Sequence, residues 1–308
     1  MRVINGLKLP EKQVLRRNKM AMQISAVSPN FGAKITAVDL KKDLDHTTHE
    51  QLKALLSQYA VLVFPNQFLG PAELIKAGEI FGELMPQQLQ KYILPDFPLV
   101  GYNSTKDLPI QNGKLQVRGE NYHTDHSNSI CPPKATALSA VKIPSSGGDT
   151  QFVDVRQSFD DLPLKLQEKI IHLRSLHVHE SSRSPRTFTK LSEEDLAKIP
   201  RVAQPLVIKH PVSKRPALYL NTGRMEGIEG MNTDEGFSLI NSLYEHAIQS
   251  KYEYRHRWSE GDFVIWDNRS VMHQANADYN PEEFRYLYRI MLEGDALSAF
   301  HPPSKVLN

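Results

Sequence analysis

The chain has 308 residues, 40% of them hydrophobic and 23% charged, an ordinary composition for a globular protein able to bury a sizeable core. Its 37 basic and 35 acidic residues leave a formal net charge of +2, too little to track a nucleic-acid backbone or to hold an anionic membrane. Cys131 is the only cysteine, which excludes an intrachain disulfide, and no stretch reaches the roughly 18 consecutive apolar residues of a spanning helix, so a soluble protein of the reducing cytoplasm is expected.

Residues 1–20 carry Lys and Arg without periodicity and read as an N-terminal arm, ahead of one domain over 21–308. Apolar and polar residues alternate over 23–27 and 33–38 around the turn-forming Pro29-Asn30-Phe31-Gly32, which predicts an antiparallel pair. Thr47 opens a capping box for a helix carrying Leu52, Leu55 and Leu56, residues 60–64 read as a buried strand, and a second helix follows Gly70-Pro71. Residues 85–119 lack periodicity and predict an inserted loop or lid. Cys131, before Pro132-Pro133, reads as a buried small hydrophobe. Strands are expected at 135–141 and 150–153, a helix over 155–173, and a polar excursion over 181–203. Strands at 205–210 and 217–221 precede a helix over 233–249, and four short strands, 252–258, 262–266, 271–275 and 286–292, close the chain. So many short strands between helices predict a mixed α/β but mainly β fold, a double-stranded β-helix (jelly roll, cupin-like) decorated with helices. No Gly-x-Gly-x-x-Gly or P-loop run supports a nucleotide site.

One stretch carries chemistry, Asn121-Tyr122-His123-Thr124-Asp125-His126. In an extended backbone His123 and Asp125 share a face, which makes two of the three ligands of a 2-His-1-carboxylate metal site. His126 is out of phase with that pair and is expected to hydrogen-bond instead. A third ligand must come from far along the chain, and His273 stands on a strand of its own.

His123-Thr124-Asp125, Gly147-Gly148-Asp149-Thr150-Gln151-Phe152, the run Trp266-Asp267-Asn268-Arg269 with His273, and finally Arg285 and Arg289 together closely resemble the taurine dioxygenase (TauD/TfdA) family of Fe(II)- and 2-oxoglutarate-dependent oxygenases. The resemblance covers about residues 22–295. It implies His123, Asp125 and His273 as iron ligands, Arg285 and Thr150 on the distal carboxylate of 2-oxoglutarate, Trp266 packed near the metal, and Arg289 as a candidate for an anionic substrate group or for a structural ion pair. Asp267-Asn268-Arg269 is expected to order a turn, and His210 and His256 to be structural or surface residues. Gln87 and Gln90 stand where the taurine enzyme has a His and a Tyr, Gly119 where it has an Asn, and Tyr122 where it has a Trp, so a substrate other than taurine is implied. Gln87, Gln90, Asn121 and Tyr122 are the candidates to contact it.

The resulting expectation is an oxygenase that uses O2 and 2-oxoglutarate to hydroxylate, desaturate or cleave a small anionic or polar metabolite, releasing succinate and CO2. Its partner is a small molecule, not a nucleic acid or a membrane, and association of identical chains is left open. A zinc-dependent hydrolase, which can use the same three ligand types, and a non-catalytic cupin-like binding protein are the alternatives.

Overall fold

A computed structural model of the chain describes residues 22–87, 90–111, 114–117, 119–184, 194, 199 and 201–302. The expected N-terminal arm and most of the excursion over 181–203 lie outside the described residues. The backbone of the large sheet runs, edge to edge, through Gln23–Ala26, Ala33–Thr36, Val61–Phe64, Phe263–Asp267, Ala135–Lys142, Tyr286–Leu292, Phe97–Ser104 and Ile93–Leu94, with Leu84–Met85 added beside Tyr286–Leu292. A small sheet of Glu253–His256, Thr150–Asp154 and Val271–Ala275 stands against it.

Alternation along the strands decides what each sheet buries, because successive side chains leave opposite faces. On the large sheet Val61, Val63, Leu138, Ala140, Val264, Trp266 and Leu287 meet Phe152 and Val271 of the small sheet in an inner core. The alternate residues Leu62, Phe64, Ala137, Phe263, Ile265, Ile290 and Leu292 bury the leucine faces of two helices, His46–Tyr59 and Pro71–Glu79. The outer face of the small sheet, with Val153 and Met272, packs under Val155–Asp160, Leu164–Ile170 and Thr233–Ala247. This is the jelly-roll sandwich that the strand pattern predicts, with helices on both outer sides. His273 keeps the phase of Val271 and Arg289 that of Leu287, so both face the inner side.

Several expected elements differ. The first helix is capped by Asp45, whose carboxylate accepts from the Thr48 N–H, and not by Thr47. Pro163 splits the helix expected over 155–173 in two, since a proline inside a helix removes a backbone donor. The stretch read as loop over 85–119 contains the eight-residue strand Phe97–Ser104, paired with Tyr286–Leu292. Arg174–His177 and Met225–Ile228 form a further pair that the sequence pattern does not announce. Cys131 is exposed, not buried.

The turn that delivers His273 is fixed by a buried charge cluster. Asp267 accepts from the Arg269 side chain at 2.9 and 2.6 Å and from His210 Nε2 at 2.9 Å, and His210 Nδ1 in turn accepts two backbone N–H groups. Burial alone would raise the Asp267 pKa, but the Arg269 charge and hydrogen bonds, with His210, outweigh it and hold the carboxyl well below its ordinary range. A carboxyl depressed in the folded state contributes stability that is complete above the unfolded pKa of about 4 and is lost as pH falls below it. Asp267→Asn is therefore expected to lower stability at neutral pH by about 1–3 kcal/mol, and the gap to the unsubstituted protein should close below about pH 4. Urea denaturation across pH measures both.

Candidate active site

His123 and His273 are brought together by backbone pairing. The His123 N–H donates to the His273 carbonyl at 3.0 Å and the His273 N–H returns the bond at 2.9 Å, a two-residue antiparallel bridge. Residues directly opposite each other across such a bridge project to the same side, and the two imidazole centroids stand 4.3 Å apart. Asp125 arrives differently from what an extended His-x-Asp segment predicts. The chain leaves the bridge at Thr124 and turns from Asp125 onward, with His126 in the left-handed region at φ 45°. One potential ligand atom from each of His123, Asp125 and His273 lies within 4.8 Å of the others, the only such cluster among the described residues.

The protonation states suit a cation. His123 Nδ1 lies 2.8 Å from the Asn121 carbonyl, which can only accept, so Nδ1 carries the proton and Nε2 presents its lone pair. Burial pushes the His273 imidazolium down to about 3 and lowers that of His123, keeping both rings neutral, and among the described residues the buried Nδ1 of His273 has no hydrogen-bond partner. Burial would raise the Asp125 pKa, but the Arg289 guanidinium beside it more than offsets this and keeps the carboxylate ionised. Two neutral imidazoles and one carboxylate, all deprotonated where a metal would bind, form a donor set that fits a divalent ion.

Arg289 reaches this cluster. Its Nη2 stands 3.1 Å from Asp125 Oδ1 and its Nη1 is 3.4 Å from the Oε1 of Gln87, which is itself buried and donates to the Leu99 carbonyl at 3.2 Å. Arg285 is different. It is 9% exposed, its Nε donates to the Gly148 carbonyl at 3.0 Å, and among the described residues no carboxylate lies within ion-pair distance. Burial pushes its guanidinium down to about 10. Gly148 makes room for it, since at φ +70° a Cβ there would sit 3.0 Å from Arg285 Nε. Two residues on, Thr150 Oγ1 accepts from the Trp258 indole N–H at 3.0 Å, which leaves the Thr150 hydroxyl proton free to donate.

Trp266 packs its ring against His273, with centroids 4.6 Å apart. Its indole N–H begins a line of side-chain hydrogen bonds through Asn268 and Thr136 to Asp125. Asn268, expected only to order a turn, therefore also belongs to the site; Gly148 stands in one of the resembling motifs but without a role, and Thr136 and Trp258 carry no signal in the sequence. Tyr122 is a correction. Adjacent to His123, it projects to the opposite side, is buried in the outer core and donates to Glu253 at 2.8 Å, so it does not reach the triad. Asn121 is exposed and contributes its carbonyl, the Gln90 side chain lies outside what is described, and the His126 ring makes no hydrogen bond among the described residues, contrary to expectation. His210 and His256 are buried structural residues, as expected.

Residues 23–291 match the TauD, TfdA family of taurine catabolism dioxygenases. The chain belongs to this family. As a TauD/TfdA member it is an enzyme of the dioxygenase class, as its motifs predict. It is 32% identical over 288 residues to the alpha-ketoglutarate-dependent 2,4-dichlorophenoxyacetate dioxygenase of Cupriavidus pinatubonensis, covering 90% of this chain and 100% of that one. The alpha-ketoglutarate-dependent sulfonate dioxygenase of Saccharomyces cerevisiae is 30% identical over 89% of this chain and 68% of its own length. Among solved structures, AAD-2 in complex with Mn(II) and N-oxalylglycine superposes with a TM-score of 0.78 at 28% identity, over 91% of this chain and 100% of that one.

One departure from the taurine enzyme has a direct steric meaning in this TauD/TfdA chain. Gly119 lies at φ +79°, and a Cβ there would stand 2.6 Å from His123 Cε1. Gly119→Ala should displace the His123 ring and weaken Mn(II) binding by about 10-fold or more, together with about 1–3 kcal/mol of backbone strain. Anaerobic Mn(II) titration and thermal denaturation measure the two effects.

Proposed function

We propose that this protein is an Fe(II)- and 2-oxoglutarate-dependent oxygenase of the cytoplasm that oxidises a small anionic or polar metabolite with O2, releasing succinate and CO2. The observation that carries the reading is Arg285, a buried guanidinium that meets no carboxylate among the described residues and is held on the Gly148 carbonyl, two residues before Thr150, whose hydroxyl is free to donate. Such a cation is costly to bury alone and suits a ligand carboxylate gripped by two parallel N–H···O bonds. In this reading Arg285 and Thr150 hold the distal carboxylate of 2-oxoglutarate, and His123, Asp125 and His273 hold one face of the iron. When bound, the iron supplies the activation of O2 and the oxidising power for the substrate C–H bond.

The remaining residues position and exclude. Trp266 braces the His273 ring, and the inner core behind it keeps water from that side of the site. Arg289, steadied by Gln87, presents a cation next to Asp125 and holds the substrate's anionic group near the metal, with Asn121 at the exposed edge. The relatives' names support an anion there, since a phenoxyacetate and a sulfonate both carry one. N-Oxalylglycine in the AAD-2 complex differs from 2-oxoglutarate by an NH in place of a CH2, which supports an oxo-acid beside the metal. Among the described residues no helix is long and apolar enough to cross a membrane.

The test is succinate release by metal-stripped protein given Fe(II), 2-oxoglutarate and O2 with a panel of carboxylates, sulfonates and sulfate esters. Turnover requiring all three is expected. Hydrolysis supported by Zn(II) without oxo-acid would overturn the proposal in favour of a hydrolase, and absence of succinate with every substrate class would favour a binding protein.

A further inference from the structure

Asp125 is the ligand whose orientation is least fixed by its backbone, because it lies in a turn while both histidines are locked in a bridge. A line of hydrogen bonds supplies what the backbone does not. The Trp266 indole Nε1–H, which can only donate, gives its proton to Asn268 Oδ1 at 3.0 Å. That contact fixes the amide, so Nδ2 is on the other side, where it donates to the Pro133 carbonyl at 3.2 Å and to Thr136 Oγ1 at 3.0 Å. A flipped amide would face one donor with another and the proline carbonyl with a second acceptor. Thr136 Oγ1 thus accepts from Asn268, and its single proton goes to Asp125 Oδ2 at 2.6 Å. Every direction in the line is forced, and the line ends on one particular carboxylate oxygen.

All three side chains are buried, Thr136 fully and Asn268 at 2% exposure, so no water competes for these bonds. Thr136 and Trp266 are register partners on neighbouring strands of the large sheet, and Asn268 lies in the turn that follows the strand of Trp266. The same tryptophan packs its ring on His273. One residue therefore braces two ligands that come from different parts of the chain, one by its ring face and the other through its N–H.

We propose that Thr136 and Asn268 are positioning residues of the metal site: they pin Asp125 through Oδ2 and so fix the direction in which Oδ1 is presented. The inference rests on the triad being a metal site, as proposed above. Outer partners of this kind are worth about 10- to 100-fold in metal affinity.

The test is anaerobic titration of the full-length protein with Mn(II), followed by electron paramagnetic resonance, which reports affinity and the symmetry of the site without turnover. Thr136→Val keeps the shape and removes the hydroxyl, and should weaken Mn(II) binding about 10- to 100-fold with altered zero-field splitting and unchanged circular dichroism. Thr136→Ser keeps the donor and should restore affinity to within about 3-fold of the unsubstituted protein. Asn268→Asp replaces the donating amide with an acceptor, turns the Thr136 proton away from Asp125, and should behave like Thr136→Val. A folded Thr136→Val variant that binds Mn(II) like the unsubstituted protein overturns the inference while leaving the triad standing. If that variant does not fold, Asn268→Asp decides, and unchanged affinity there overturns it. If the unsubstituted protein binds no Mn(II), the metal-site reading itself fails.

Discussion

His273→Ala is expected to abolish both metal binding and succinate release while leaving a folded protein. The imidazole packs on Trp266 and Phe152 and stands 4.3 Å from the His123 ring, but its backbone makes the bridge to His123 with its own N–H and C=O, and alanine keeps those bonds. What is lost is a neutral donor facing Asp125 at 3.9 Å. With one of three protein ligands gone, Mn(II) affinity should fall by more than about 100-fold, the upper end of what losing a mere outer partner costs. Truncation of a buried side chain also leaves a cavity, so a stability loss of about 2–4 kcal/mol is expected. Parallel Mn(II) titration and urea denaturation separate the two. Retention of Mn(II) binding, or of 2-oxoglutarate-dependent turnover, by the folded variant would remove His273 from the ligand set.

Arg285→Met should move affinity and stability in opposite directions. Removing the cation leaves the 2-oxoglutarate carboxylate without its partner in a buried site, which costs about 2–5 kcal/mol, or about 30- to several-thousand-fold in affinity. Arg285→Lys keeps a charge but not the planar fork, and should recover only part of the loss. Yet the same charge is buried with no carboxylate beside it among the described residues, so replacing it with an apolar side chain of similar length should stabilise the protein without cosubstrate by about 1–4 kcal/mol. The pH dependence carries a sign that identifies the cause. Burial lowers the folded pKa of Arg285 to about 10, below that of the unfolded side chain, so above about pH 10 the unfolded chain binds more protons. The penalty is present below the folded pKa and is relieved as pH rises through about 10, so the variant's stability advantage should narrow there. Equilibrium 2-oxoglutarate binding and urea midpoints at several pH values measure these effects. A variant that loses stability and keeps affinity would show that Arg285 serves the fold and not the cosubstrate.

The parts of the molecule that could be read from its sequence are those whose cause is local. Val271–Ala275 and Tyr286–Leu292 match their expected bounds because alternation and β-branched or aromatic residues are written within the strands themselves. The triad could be read only because several motifs, His123-Thr124-Asp125, the Gly147–Phe152 run, Trp266–Arg269 with His273, and the two arginines, stand in one order and together resemble a family; the His-x-Asp pair alone would not have shown it. Phe97–Ser104 could not, since Pro98 and Gly101 are poor strand formers and its place depends on pairing with Tyr286–Leu292 far away in sequence. Thr136 and Asn268 are equally silent, because a threonine in a strand and an asparagine in a turn look ordinary until register sets one beside the other. Tyr122 shows the reverse error, where proximity in sequence to His123 suggested a shared site and alternation sent its ring to the other side of the small sheet.

The bridge between His123 and His273 also has a consequence in time. On a ribosome the His-x-Asp segment emerges well before its partner strand, Arg285 and Arg289, since His273 lies 150 residues after His123. Loop closure over so long a stretch is entropically slow and contributes nothing until both ends are present. The nascent protein therefore has no assembled triad until His273 has followed His123 out of the ribosome and the strand Val271–Ala275 can pair.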